Sequence, residues 1–249
     1  MKFLSKLLAA SIVSALTTGI ASAATVKVTF DSNIFNGSGS DGVTIHDPFL
    51  SGTSHSAGTA AGRFQGTATE LNGIGPGDFK DGVNDLFMYC YDIYEHIGGG
   101  WPVTYTVNHS GPTPRTLDFL GAVNAVLNGP SGVSDPYAWV HPINGNQGAA
   151  IQLGIWESKY ERESNPWNLG EGDFWATDID SATTGWLNQF VGAMHSSAAL
   201  DARYAMTLEA TGAQDMITAD PPSVPEPASL ALLGLVLAGL GLSRRKART

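Results

Sequence analysis

The sequence predicts an α+β fold, because segments typical of short β-strands come first, segments with helical spacing follow, and a strand-like segment closes the domain. The strand-like segments alternate apolar and polar residues or are rich in aromatic residues. Gly, Ser, Thr and Asn are abundant between residues 31 and 85, which indicates short strands joined by loops. Strands followed by helices and a final strand are typical of an antiparallel sheet with helices packed against it.

Short strands are predicted at five places, and the central one has the strongest pattern. It is residues 86–94, which are rich in aromatic residues and are bounded by Asp, Asn and Gly. Gly98, Gly99 and Gly100 follow it and predict a turn, so the segments on either side are expected to form a hairpin. The five predicted strands are residues 26–30, 61–70, 86–94, 103–107 and 203–209.

Three helices are predicted from apolar residues repeated three or four positions apart. The first covers residues 116–128 and is stopped by Gly129-Pro130. The second covers residues 149–163, and Asn165-Pro166 ends it. The third covers residues 181–197, with Ser181 as its expected N-cap.

The N-terminus has the three parts of a cleavable signal peptide in the right order. Lys2 and Lys6 form a basic start, residues 7–20 are apolar and uncharged, and Ala21-Ser22-Ala23 is a small-residue processing site. Residues 1–23 are therefore predicted as a signal helix cut after Ala23 by signal peptidase. The alternative is a buried N-terminal helix.

The C-terminus also has three parts: Val224-Pro225-Glu226-Pro227, an uncharged apolar run over residues 228–242, and a basic end with Arg244, Arg245, Lys246 and Arg248. A helix of about 15 residues is roughly 22 Å long, against about 30 Å of bilayer hydrocarbon. We therefore predict a short transmembrane helix over residues 228–243, with the basic end in the cytoplasm. The alternative is a core helix.

The part between the two ends is long enough for one domain with its own core, although two small domains would also fit. Residues 24–210 are predicted as a single ectodomain. Residues 211–223 are predicted as a linker to the membrane, and residues 224–249 as a sorting segment.

This C-terminal segment resembles the PEP-CTERM protein-sorting domain in its Val-Pro-Glu-Pro signature, apolar helix and arginine-rich end. The resemblance implies an exported protein that is held at the membrane until an exosortase cuts near Pro225, Glu226 and Pro227. The protein would then reside at the cell surface or be secreted. The resemblance also implies an association with exopolysaccharide or biofilm.

The charge of the predicted ectodomain restricts its partners. Residues 24–224 hold 22 of the 23 acidic residues and only seven of the 13 basic residues. This acidic balance disfavours nucleic acid and anionic lipid surfaces as partners. Acidic clusters at residues 78–85 and 171–180 leave calcium binding open, but neither has the spacing of an EF-hand. The sequence predicts no cofactor and no metal site.

Cys90 is the only cysteine of an exported chain, and such a residue needs an explanation. It lies between Tyr89 and Tyr91 on the strongest predicted strand, two residues before Asp92. It is an inert buried thiol, half of an intermolecular disulfide, or a reactive group. On the second predicted helix, Gln152 shares a face with Ala149, Trp156 and Tyr160, which places a carboxamide among core residues.

Together, Tyr89-Cys90 and Gln152-Leu153-Gly154-Ile155-Trp156 resemble the two motifs of bacterial thioester-domain surface proteins. Gly154 stands where that family usually has Ala. The resemblance implies an internal thioester between Cys90 and Gln152, with Tyr89, Asp92 and Trp156 beside it. Such a protein is a single-use covalent adhesin for a surface amine or polysaccharide, and not a turnover enzyme.

Two other functions remain open from the sequence. One is a non-covalent carbohydrate-binding or structural matrix protein that uses its tryptophans and acidic loops. The other is a secreted hydrolase, although no G-x-S-x-G motif is present.

Overall fold

The computed structural model describes residues 23–35, 37–50, 52, 54–129 and 134–222. These residues form a closed six-stranded barrel, a separate three-stranded sheet and three α-helices. The prediction of an α+β fold is therefore confirmed. The predicted signal peptide up to Ser22 and the predicted sorting segment lie outside the described residues.

The strands, in chain order, are β1 (Thr25–Phe30), β2 (Ser40–His46), β3 (Ser56–Gly62), β4 (Phe64–Asn72), β5 (Leu86–Cys90), β6 (Pro102–Asn108), β7 (Trp175–Thr177), β8 (Ala205–Glu209) and β9 (Met216–Ala219). The helices are α1 (Pro114–Asn128), α2 (Gly145–Tyr160) and α3 (Ser181–Ala193).

The barrel contains six antiparallel strands in the order β1, β4, β5, β9, β8 and β6, and β6 pairs with β1 to close it. Closure gives each strand a neighbour on both edges, which removes the exposed edges of an open sheet. Along β1 the side chains alternate between buried and half-buried, as expected for a strand with one face in the core. The second sheet has the order β3, β2 and β7.

Two apolar clusters form the core. The first contains Val28, Met88, Cys90 and Tyr105 from the barrel strands together with Leu153 and Trp156 from α2. The second contains neighbouring residues of the same strands, such as Tyr89 and Ile217, with Phe119 of α1 and Phe190 of α3. Helix α2 belongs to both clusters, and its residues 147–158 are all buried. A helix that is buried on all sides has no polar, solvent-facing side, so its sequence lacks the alternation of apolar and polar faces that indicates a surface helix.

The helix starts follow local capping chemistry. The Thr113 side chain accepts a hydrogen bond from the Thr116 amide at the start of α1, where Pro114 occupies the first turn. The Asn144 side chain accepts one from the Gln147 amide at the start of α2. The predicted cap of α3 was wrong, because Ser181 is the first helical residue and Asp180 precedes it as the N-cap.

Two strand predictions were wrong. Strands β5 and β6 do not form a hairpin, because β5 pairs with β4 and β9, and β6 pairs with β1 and β8. The single strand predicted at residues 61–70 is two strands, β3 and β4, which separate at Arg63 and enter different sheets.

The predicted linker is also corrected. Residues 216–219 form β9, which is fully buried and completes the barrel between β5 and β8. The segment is short and follows a turn at residues 211–213, so its sequence pattern alone is too brief to indicate a strand. No helix among the described residues is long and apolar enough to cross a membrane.

Candidate functional site

Cys90 and Gln152 meet in the core, although 61 residues separate them in the sequence. The backbone N–H of Cys90 donates a hydrogen bond to Gln152 Oε1 at 2.8 Å. Gln152 Nε2 donates in return to the Cys90 carbonyl oxygen at 2.7 Å. Both residues are fully buried. The structure thus brings together the two residues that the sequence predicts as a pair.

The end of β4 explains why Gln152 occupies this position. Met88 pairs with Phe64, the first residue of β4, so Cys90 lies beyond the point where that strand begins and has no partner on it. On its other edge β5 continues to pair with β9, where Cys90 faces Met216. A buried N–H and C=O without partners are costly, and a carboxamide supplies both an acceptor and a donor. Gln152 therefore replaces the missing strand partner.

The Cys90 thiol points to a different acceptor. Its sulfur lies 2.7 Å from the backbone carbonyl oxygen of Asp92, to which it donates, and Gln214 Nε2 donates to the same oxygen at 2.8 Å. Burial raises the pKa of the Cys90 thiol well above its ordinary value. The Trp156 indole N–H favours the thiolate but does not offset the burial. Cys90 is therefore a protonated thiol at neutral pH.

The other predicted site residues, Trp156, Asp92 and Tyr89, differ in how near they lie to the Cys90–Gln152 pair. Trp156 lies on the same face of α2 as Gln152, and its buried Nε1 makes no hydrogen bond of good geometry among the described residues. Asp92 uses its carboxylate to accept from the Tyr94 amide at 2.7 Å. Tyr89 points to the opposite face of β5, where its hydroxyl donates to the Trp139 carbonyl oxygen at 3.1 Å.

Gly154, the departure from the usual thioester motif, has a packing explanation. A Cβ at this position would overlap the ring of Phe119 on α1. Helices α1 and α2 therefore approach each other closely where Gly154 lies, and an alanine does not fit there.

Three further residues surround the pair. Lys159 Nζ lies 4.1 Å from the centre of the Tyr91 ring, and burial lowers the pKa of Lys159 although the Asp92 and Asp215 carboxylates oppose this. The Tyr160 hydroxyl accepts from the Ile93 amide at 3.2 Å. Of these three residues, the sequence indicated only Tyr160, which shares a helical face with Gln152. Nothing in the sequence pattern indicated Lys159, and Gln214 fell in the predicted linker.

The acidic clusters are engaged with neighbouring protein groups. Asp81 pairs with His141 at 2.9 Å, and Asp85 accepts from Gln65 at 3.1 Å. Asp178 accepts from the Thr44 hydroxyl at 2.8 Å. Among the described residues, no group of three or more His, Cys, Asp or Glu side chains is placed to hold a metal ion.

One comparison identifies a known motif in this chain. A family model described as the PEP-CTERM protein-sorting motif matches residues 223–246. This motif indicates an exported protein that is anchored in the membrane before an exosortase processes it. The match includes Pro225, Glu226 and Pro227. No curated protein and no solved structure matches the chain.

Proposed function

We propose that this exported, exosortase-processed protein is a covalent adhesin that carries an internal thioester between Cys90 and Gln152. The observation that carries the proposal is the reciprocal pair of hydrogen bonds, 2.8 and 2.7 Å long, between the Gln152 carboxamide and the Cys90 backbone. These bonds hold the carboxamide beside the one residue of the chain that bears a thiol.

Thioester formation is a condensation between these two side chains. The Cys90 sulfur bonds to the side-chain carbonyl carbon of Gln152, and the bond from that carbon to Nε2 breaks. The thiol proton leaves with the nitrogen as ammonia, so no oxidant, reductant or cofactor is needed. Fixing the two groups side by side replaces an encounter in solution, which is a large effect in intramolecular acyl transfer.

The geometry supports part of this reaction and resists another part. The Cys90 N–H already donates to Gln152 Oε1, the atom on which negative charge develops as sulfur attacks. The thiol, however, donates to the backbone carbonyl oxygen of Asp92 and must rotate towards Gln152 before it reacts. The reaction also removes Nε2, which leaves the Cys90 carbonyl without its donor. Burial protects the product from water.

A completed thioester reacts once with a nucleophile from outside. An amine or hydroxyl of a surface or exopolysaccharide attacks the Gln152 carbonyl carbon and releases the Cys90 thiol, so the protein is an anchor and not a turnover enzyme. A groove of about 160 Å³ lies nearby, and its lining includes Trp156, on the Gln152 face of α2, and Gln214, which binds the Asp92 carbonyl. Cys90 and Gln152 are themselves buried, so a nucleophile must displace part of this lining to reach the thioester.

Methylamine tests this proposal directly, because it is a small nucleophile that leaves a stable amide. We expect incubation of the exported protein to add one methylamine to Gln152 and to make Cys90 available for alkylation. The Cys90→Ala variant is the control and should take up none. Recovery of wild-type protein with Gln152 unmodified would contradict the proposal.

A groove on the second sheet favours the rival function, a non-covalent carbohydrate-binding or matrix protein. The groove has a volume of about 260 Å³, and its lining includes His46, Asp47, His55, Asp173 and Trp175. The His46 and Trp175 rings stack with their centres 3.5 Å apart. Aromatic rings beside carboxylates are suited to sugar hydroxyls and apolar sugar faces. Binding to exopolysaccharide that is lost on boiling in detergent would favour this function over covalent attachment.

A further inference from the structure

A third cavity, of about 280 Å³, lies between α2, α3 and the loop that precedes β7. Its apolar wall includes Leu169, Ala176, Ile179, Leu187 and Val191. Its polar lining includes Thr184 and Asn188 on α3, Asn168 on the loop and Glu157 on α2. A small apolar cavity with a few polar groups is the usual form of a small-molecule site.

Glu157 is the most buried polar group of this cavity, with its side chain 2% exposed. Its Oε1 accepts a hydrogen bond from the Asn168 backbone amide at 3.1 Å. Its Oε2 has no hydrogen-bond partner among the described residues. A buried carboxylate oxygen without a partner is costly to the fold, so Oε2 is a strong acceptor for a ligand that enters the cavity.

Arg115 of α1 does not provide the missing bond. Its Nη2 lies 3.9 Å from Glu157 Oε1, beyond hydrogen-bonding distance. Its Nη1 donates to the carbonyl oxygens of Arg162, Glu163 and Asn165 at 3.1–3.3 Å, and its guanidinium lies 4.4 Å from the centre of the Trp167 ring. These contacts direct the guanidinium towards the loop and leave Oε2 unpaired.

The local charge favours a cation in the cavity. The buried charged groups here are two carboxylates, Glu157 and Glu161, and one guanidinium, that of Arg115, while α3 carries no titratable side chain. Glu161 is fully engaged by four N–H donors, two of them the Asp173 and Phe174 amides. Burial raises the pKa of Glu157 to about 7, and Glu161 adds to the rise. One more positive charge beside Oε2 would balance the two carboxylates against two cations.

We propose that this cavity binds a primary alkylammonium group, with the ammonium on Glu157 Oε2 and a short aliphatic chain along Leu187, Val191 and Ile179. The ammonium donates to the unpartnered Glu157 Oε2, and the chain removes apolar surface from water. A free aliphatic amine and a lysine side chain present the same group. The site is separate from Cys90 and does not depend on the thioester.

The test titrates the full chain with n-butylammonium chloride and follows the NMR signals of the Trp167 indole and the Asn168 amide, two residues that line the cavity. We expect both to shift in a saturable way, and 1-butanol to bind at least tenfold more weakly. Affinity should fall about tenfold from pH 8 to pH 6, because a group with a pKa of about 7 loses its charge over that interval. Nα-acetyl-lysine amide tests whether the opening also admits a lysine side chain.

Four variants make the test specific. Glu157→Gln keeps an acceptor for the Asn168 amide, removes the charge, and should weaken n-butylammonium binding at least tenfold. Asn188→Trp, a change of an exposed residue on the cavity lining, should do the same without affecting the core. Glu163→Gln, at an exposed carboxylate nearby, should bind like wild type. Cys90→Ala should also bind like wild type, which separates this reversible site from covalent capture of amines.

Two results would overturn the proposal. One is that n-butylammonium leaves the Trp167 and Asn168 signals unchanged. The other is a loss of specificity, in which the Glu157→Gln variant binds n-butylammonium, or wild type binds 1-butanol, as tightly as wild type binds n-butylammonium.

Discussion

The ring of Phe119 occupies the space that a side chain at position 154 would need, so Gly154 is the residue that lets α1 and α2 touch. Phe119 is itself fully buried between helices and stacks on Trp167 with ring centres 5.4 Å apart. It therefore has little room to move away.

Gly154→Ala is expected to lower the free energy of unfolding by about 1–3 kcal/mol, because an added methyl group overpacks a filled core. The same change in a Phe119→Leu background should cost less, since the smaller side chain leaves room. Gly185→Ala on α3 is the matched control, because no atom lies within 4 Å of its added Cβ, and a helical alanine should be neutral or stabilising. Urea denaturation measures wild type, Gly154→Ala, Phe119→Leu, the double variant and Gly185→Ala, and an equal cost for Gly154→Ala in both backgrounds would refute the packing explanation.

Gln152→Met should destabilise the fold by about 2–5 kcal/mol, because it leaves the buried N–H and C=O of Cys90 without partners. The comparison is best made in a Cys90→Ala background, where both hydrogen bonds persist and no thioester contributes. Gln189→Met, an exposed position on α3, is the control and should change stability by less than about 0.5 kcal/mol. Equal unfolding midpoints for the two variants would show that Gln152 does not support the strand.

A chain that starts at Ala24 and ends at Pro222 is expected to fold, whereas one that ends at Ala210 is not. The shorter chain lacks β9, which exposes the edges of β5 and β8 and opens the barrel. The shorter chain also lacks the Asp215 carbonyl oxygen, which accepts a hydrogen bond from the Tyr91 amide at 2.7 Å. Near-ultraviolet circular dichroism and cooperative urea unfolding distinguish the two. A cooperatively folded shorter chain would restore the linker interpretation of residues 211–223.

Glu157 should make the protein less stable as pH rises from about 4.5 to about 7. Its pKa is about 7 in the fold against a reference value of 4.5, so the folded state holds the proton over this interval while the unfolded state has released it. Stability therefore falls with pH, by about 3 kcal/mol when Glu157 is fully ionised. Relative to wild type, Glu157→Gln should gain stability between pH 5 and pH 8, and Glu163→Gln should not. A constant difference between Glu157→Gln and wild type at the two pH values would contradict this.

The sequence predicted the parts of the fold that have a strong local pattern. Apolar periodicity located α1 and α3, and aromatic enrichment located β5. The pairing of Cys90 with Gln152 was implied by the resemblance of their two motifs to thioester-domain proteins, and the structure places the two residues in contact.

The remaining features depend on contacts between distant segments. The pairing of β5 with β4 and β9 has no local signal, because the Gly98–Gly100 turn is equally compatible with a hairpin. Strand β9 has only four residues. The role of Gln152 as a substitute for a strand partner follows from where β4 begins, at Phe64, and no pattern around residue 152 contains that information.

The intact mass of the exported protein decides whether Cys90 and Gln152 form a thioester, because thioester formation changes the composition of the molecule. We expect a mass lower by one ammonia than the processed sequence requires, with that deficit absent from both the Cys90→Ala and Gln152→Ala variants. A full sequence mass, together with a Cys90 that alkylates completely on unfolding, would contradict it.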